Sequence, residues 1–167
     1  MTSTNTVLLQ PKNALIELTL LNAEYFDDEF DDMLIAGLKR DIPPEVLTRL
    51  LELWIQTKEV AGDVIAIGKI IVRKIIDFLL ENRQLTMGMA LGAALGVLVS
   101  SIPVIGPFLA PLVATVSMLY GASVGANMQK GNFATTPVTE AIELASLFFE
   151  LLVAIFNGVA EYWNSKA

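Results

Sequence analysis

Cysteine and histidine are both absent from the 167 residues. Without cysteine there is no disulfide framework and no thiol chemistry. Without histidine the commonest general base and the commonest transition-metal ligand are missing. Charge is scarce too: 17% of residues carry it, against about 25% in an average soluble domain. The 11 Lys and Arg are scattered and outnumbered by 18 Asp and Glu, for a net charge of −7. That excludes nucleic acid as a partner, because phosphate binding needs clustered basic side chains. It also leaves little attraction to anionic lipid headgroups, so any membrane affinity must come from apolar area. Apolar area is abundant, at 54% hydrophobic residues and a mean hydropathy of +0.59.

The length sets an expectation of one domain over residues 1–167. Residues 1–10 form a loose polar terminus without the basic and apolar regions of a secretory signal. The expected location is the cytoplasmic membrane without a cleaved signal, or a soluble form that precedes a trigger.

Catalytic patterns are missing. Gly88, Gly92 and Gly96 lack the Lys-Ser or Lys-Thr ending of a phosphate loop. Ser100 and Ser101 have no base to activate them. The acidic run Asp27-Asp28-Glu29-Phe30-Asp31-Asp32 does not fit a calcium loop, since its sixth and twelfth positions hold Asp32 and Leu38. It reads as a solvated helix face. No enzyme, cofactor, metal or small-molecule substrate is expected.

The chain divides into four helical stretches. In region 1–44, Asn13 is a candidate cap for a helix over 14–25, and Asp41-Ile42-Pro43-Pro44 is a strong stop. Region 45–84 predicts a long amphipathic helix with Glu52, Glu59, Asp63, Arg73, Asp77 and Glu81 on its polar side. A break near Gly62, Gly68 or Asn82 is the alternative. From Gln84 to Gln129 there is no charge at all, about twice the ~20 residues that one membrane-spanning helix needs. Pro103, Gly106 and Pro107 mark a turn in the middle. Region 85–128 is therefore read as a hydrophobic helical hairpin, with arms over 85–101 and 108–126. Region 137–163 predicts a last helix, with Thr136 as its cap and Pro137 in its first turn.

Small residues carry the most specific signal. Gly88, Gly92 and Gly96 lie four apart on the first arm, and Gly121 and Gly125 on the second. Four-residue spacing stacks them on one helix face. Each costs roughly 1 kcal/mol against alanine in a helix, which close backbone packing would offset. In lipid such faces drive helix association, so these glycines are the expected oligomerisation surface. Arg73, Lys74 and Arg83 before the hairpin and Lys130 after it place both ends on the cytoplasmic side. Glu143, Glu150, Asn157 and Glu161 form a narrow polar stripe on the last helix. In a pore, that stripe would face a wet lumen.

Amphipathic helices flanking a Gly/Ala-rich hairpin, closed by Ser101-Ile102-Pro103-Val104-Ile105-Gly106-Pro107, resemble the hydrophobic hairpins of α-helical pore-forming and translocation domains such as those of colicins. The pattern is also similar to membrane-active segments of phage tape-measure proteins. The resemblance covers residues 65–127, and unlike the colicin arrangement a further long helix follows. The expectation is an all-α, toxin-like or phage-like protein that inserts into a lipid bilayer. As a homo-oligomer it would form a pore or perturb the membrane. The alternative is a non-enzymatic scaffold, a membrane-shaping coat or injection-machine component, with the hairpin as oligomer core.

Overall fold

The computed structural model describes residues 9–121 and 136–163. Within them lie nine α-helices, one 3-10 turn and one two-stranded hairpin, so the chain is essentially all-α. Residues 1–8, the cationic linker around Lys130 and the end of the second apolar arm, with Gly125, lie outside the described residues.

Helix α1 (Pro11–Glu24) starts on Pro11, whose fixed φ suits a first turn. The expected Asn13 cap is therefore already inside the helix. Its buried side chains are Ala14 and Leu18. Helix α2 (Phe30–Lys39) begins only after the acidic corner. It ends in a Schellman turn: Asp41 sits at φ 69, Asp41 N donates to Leu38 O at 3.2 Å, and Ile42 N to Gly37 O at 2.9 Å. Pro43 and Pro44 then start α3 (Pro44–Trp54), which buries Val46, Leu47, Leu50, Leu53 and Trp54.

A continuous helix over 45–84 does not form, and the chain breaks at Gly62 and again at Asn82, two of the three positions weighed for a break. The chain leaves α3 at Ile55 and folds a β-hairpin from β1 (Lys58–Val60) and β2 (Asp63–Ile65), with Val60 opposite Asp63. Ala61 (φ 52) and Gly62 (φ 89) form the two-residue turn with both φ positive, the type I′ geometry that matches strand twist. Val60 and Ile65 are buried, while Glu59, Asp63 and Val64 are exposed, so the strands are too short to leave an alternating pattern in the sequence. A helical period fitted the same residues, and Ala-Gly is a weaker turn signal than Asn-Gly.

Helix α4 (Ile67–Glu81) is not the surface amphipathic helix that was expected. It buries nine of its 15 residues, among them Ile70, Ile71, Ile75, Ile76, Phe78 and Leu79. It packs against α1, α2, α3 and the following helix α5 (Met87–Ser101). Full burial of one such side chain is worth roughly 1.5–3 kcal/mol, so α4 is a principal source of cohesion.

The polar stripe of α4 is covered by the α1–α2 corner. Lys69 Nζ donates to Phe26 O at 2.8 Å, and Arg73 Nη1 pairs with Asp28 at 2.7 Å while its Nε reaches Asp77 at 3.2 Å. Burial opposes the Arg73 charge, but Asp77 and Asp28 outweigh it and raise its pKa. The acidic run is thus more than a solvated face, because Asp28 holds the corner onto α4.

A 3-10 turn (Pro103–Ile105) joins α5 to α6 (Gly106–Tyr120). The last stretch is α7 (Thr136–Phe148), α8 (Glu150–Gly158) and α9 (Ala160–Trp163). A single helix was expected there. It bends at Phe149 and Val159, while Phe149 N to Ala145 O (2.9 Å) and Val153 N to Phe149 O (2.8 Å) keep the ladder connected. The bend brings Phe148 and Phe149 onto Phe78 of α4, with ring centroids 5.4 and 5.5 Å away. Helix α8 returns along α1, where a Cβ on Gly158 would collide with that of Ala14.

Gly68 makes the closest approach among these helices. A Cβ there would overlap the Leu53 carbonyl at the end of α3, and Gly68 N donates to Gln56 O at 3.0 Å. Gly68→Ala should lose at least ~2 kcal/mol of unfolding free energy, as overpacking against rigid backbone does. A Cβ on Gly106 meets nothing within 4 Å. Gly106→Ala should be neutral or stabilising by up to about 1 kcal/mol. Urea titration of both variants checks this, and equal losses would contradict the α3–α4 crossing.

Candidate functional site

The uncharged hairpin α5–α6 is the part of the fold whose chemistry is unusual. Thr86 starts it by accepting a hydrogen bond from Met89 N at 3.3 Å, an N-cap that gives the charge-free segment a defined beginning. Helix α5 packs against α4, α6 and α7. Ala90, Leu91, Ala93, Ala94, Leu95, Val97 and Leu98 are buried, which is more than one face of a 15-residue helix. The alanines make this feasible, since short side chains let three neighbours close around one axis.

The glycines divide into different roles. Gly88 is met by the ring of Tyr120, with Cδ1 2.8 Å from where a Cβ would be. The close approach expected from another copy is here made by the chain's own α6. Gly92 and Gly96 continue the face of Gly88 and are half-buried. Gly121 is not on a helix face at all. At φ 90 and ψ 141 it terminates α6, in a region that side chains disfavour. The second glycine face expected from Gly121 and Gly125 therefore cannot start on α6.

Pro103 opens the 3-10 turn, Gly106 is the first residue of α6, and Pro107 lies in its first turn. Pro111 lies inside the helix, where its missing N–H removes one backbone bond. The two arms are not equally buried, as a symmetric hairpin would be. Ile105, Leu109, Leu112 and Val116 face inward, while Pro107, Ala110, Pro111, Ala114 and Met118 face outward and are exposed, Met118 by 85%. This outer face has no charge. Residues Pro103–Tyr120 form an apolar stretch of 18 residues, long enough by composition to cross a membrane.

Side-chain hydrogen bonds reach the hairpin from elsewhere in the chain. Arg40 Nη2 donates to Leu85 O at 2.9 Å, Arg49 Nε to Thr115 Oγ1 at 3.2 Å, and Asn157 Nδ2 to Ser101 O at 2.9 Å. The first and last grip the two ends of α5. Asn157, the residue expected to face a wet lumen, is exposed and donates to a carbonyl left open at the end of α5. Glu143 and Glu161 are exposed on the outside of the chain, and Glu150 is partly covered in the first turn of α8, where the helix dipole favours a carboxylate. Sequence reasoning had no means of finding Arg40 and Arg49. Their partners in the hairpin are a backbone carbonyl and a threonine hydroxyl, neither of which leaves a pattern of complementary charge.

No protein-family model, curated protein or solved structure matches this chain.

The chain's lack of cysteine allows a clean test of the hairpin geometry. A Cβ at Gly88 would lie 3.3 Å from Tyr120 Cβ, near the ~3.5–4.5 Å that a disulfide bridges. The double variant Gly88→Cys/Tyr120→Cys should oxidise within one chain and run as a monomer on a non-reducing gel. Disulfide-linked dimers as the main product would show that the glycine face lies between copies.

Proposed function

We propose that this chain is a membrane-inserting protein that exists in water as a closed helical bundle. Its α5–α6 hairpin leaves the bundle, enters a lipid bilayer and there perturbs it or forms a pore with other copies. The observation that carries this reading is the outer face of α6. Helices on the surface of soluble domains normally carry polar residues outward, yet Pro107, Ala110, Pro111, Ala114 and Met118 are exposed along about three turns with no charge among them. In lipid the same face needs no polar group.

Energetic symmetry supports it too. The buried contacts of α5 are apolar on every side, and hydrocarbon can replace apolar neighbours at little cost. A 15-residue helix such as α5 is ~22 Å long, short of the ~30 Å hydrocarbon layer, so insertion would thin the bilayer locally. The acidic helices α1 and α2, with the polar stripe of α4 that they cover, would stay outside the bilayer. A scaffold that joins copies through the outer face of α6 is the competing reading, and the same variant separates the two.

Ala114 is exposed at the middle of the outer face. Ala114→Lys should leave the stability of the soluble bundle within roughly 0.5 kcal/mol. At the centre of an inserted helix the same lysine costs roughly 2.5–3.5 kcal/mol, a fall of about a hundredfold in insertion. Dye release from phosphatidylcholine vesicles should follow wild-type addition and be nearly abolished by Ala114→Lys. No release by wild type, or equal release by both, would contradict the proposal. Loss of self-association without any release in either would support the scaffold.

A further inference from the structure

We propose that Arg40 is a latch that keeps the hairpin closed in the bundle, an inference that rests on the insertion reading above. The chain between α4 and α5 is the hinge about which the hairpin would have to leave. One guanidinium holds three carbonyls around that hinge. Arg40 Nε donates to Leu79 O at 2.8 Å in the last turn of α4, and Nη2 donates to Leu85 O at 2.9 Å and to Asn82 O at 3.4 Å. Leu79 and Asn82 lie on the α4 side and Leu85 on the α5 side. The contact therefore fixes the angle between a helix that stays and one that would move.

The latch is built from the neighbouring helix and not from the hinge itself. The Schellman turn at Gly37, Leu38, Asp41 and Ile42 ends α2 with Arg40 as its cap, which sets the backbone from which the side chain reaches α4. Among the described residues Arg40 has no carboxylate at ion-pair distance. Its charge is satisfied by backbone oxygen and by the negative end of the α4 dipole. Burial and then Arg83 lower its pKa, against a smaller opposing effect of Asp41. The planar fork of five donors suits this divided grip. A lysine could reach one carbonyl at a time.

A merely structural arginine would weaken the whole bundle evenly, whereas a latch would free one hinge. Arg40→Ala and Arg40→Lys are therefore compared with Asp28→Asn, which weakens the Arg73 contact at the other end of α2. Hydrogen exchange in water reads the amides of Leu85 and Ala90 at the start of the hairpin, and Val153 in α8 as reference; all three donate to backbone carbonyls. Arg40→Ala should speed exchange at Leu85 and Ala90 at least tenfold more than at Val153, with Arg40→Lys between it and wild type. The rate of dye release from phosphatidylcholine vesicles should rise at least tenfold in Arg40→Ala and not in Asp28→Asn. Uniform exchange changes, or equal acceleration of release by Asp28→Asn, would overturn the latch. So would selective exchange with an unchanged release rate when wild type does release dye. If exchange is selective but no protein releases dye, the local hold stands and it is the insertion reading that fails. Should Arg40→Ala not fold, Arg40→Lys alone carries both measurements.

Discussion

A stretch of chain that bears no charge between Arg83 and Lys130 must be kept from water by something else, and the rest of the fold follows from that requirement. Helix α5 meets it most fully, enclosed by α4, α6 and α7. The enclosure is possible because α5 is rich in alanine and glycine and because α4 presents isoleucine on several sides. The β-hairpin between α3 and α4 serves the same end. It reverses the chain so that α3 can lie beside α4, at a contact so close that only glycine fits at position 68.

The requirement is only half met by α6. Its inner residues Leu109, Leu112 and Val116 are buried, but no described element covers Met118. The result is a fold whose centre and part of whose surface are made of the same uncharged hairpin. The links from the hairpin to its surroundings are mostly non-directional apolar contacts, with Arg40, Arg49 and Asn157 adding direction at a few points. Non-directional contacts can be exchanged for lipid, whereas directional ones must be broken, so the hydrogen bonds at the ends of α5 matter more than their number suggests.

Much of this was legible in the sequence. The turn at Pro103, Gly106 and Pro107, the stop at Pro43 and Pro44, and the apolar hairpin itself follow from local chemistry. What was not legible depended on distance. Nothing near Gly68 announces the Leu53 carbonyl, and nothing near Arg40 announces Leu79 and Leu85. The glycine spacing on α5 indicated close packing, but spacing alone does not say whether the partner is Tyr120 of the same chain or another copy. The helix over 45–84 failed for a related reason. Val60, Val64 and Ile67 fit a helical period, and the two three-residue strands are too short to show an alternating one, so the turn at Ala61 and Gly62, with both φ positive, left no clear mark in the sequence.

On the proposed insertion, α6 changes its surroundings from water and protein to hydrocarbon. An environment-sensitive fluorophore attached at Ala114→Cys reports this directly, because the chain has no other thiol and that position is exposed in the closed bundle. Adding phosphatidylcholine vesicles should shift its emission to the blue. Lipids quenching at the bilayer centre should then quench it more than lipids quenching at the headgroup, and iodide in the water should lose access. An emission that stays unshifted and open to iodide with vesicles in excess would contradict the account at its centre.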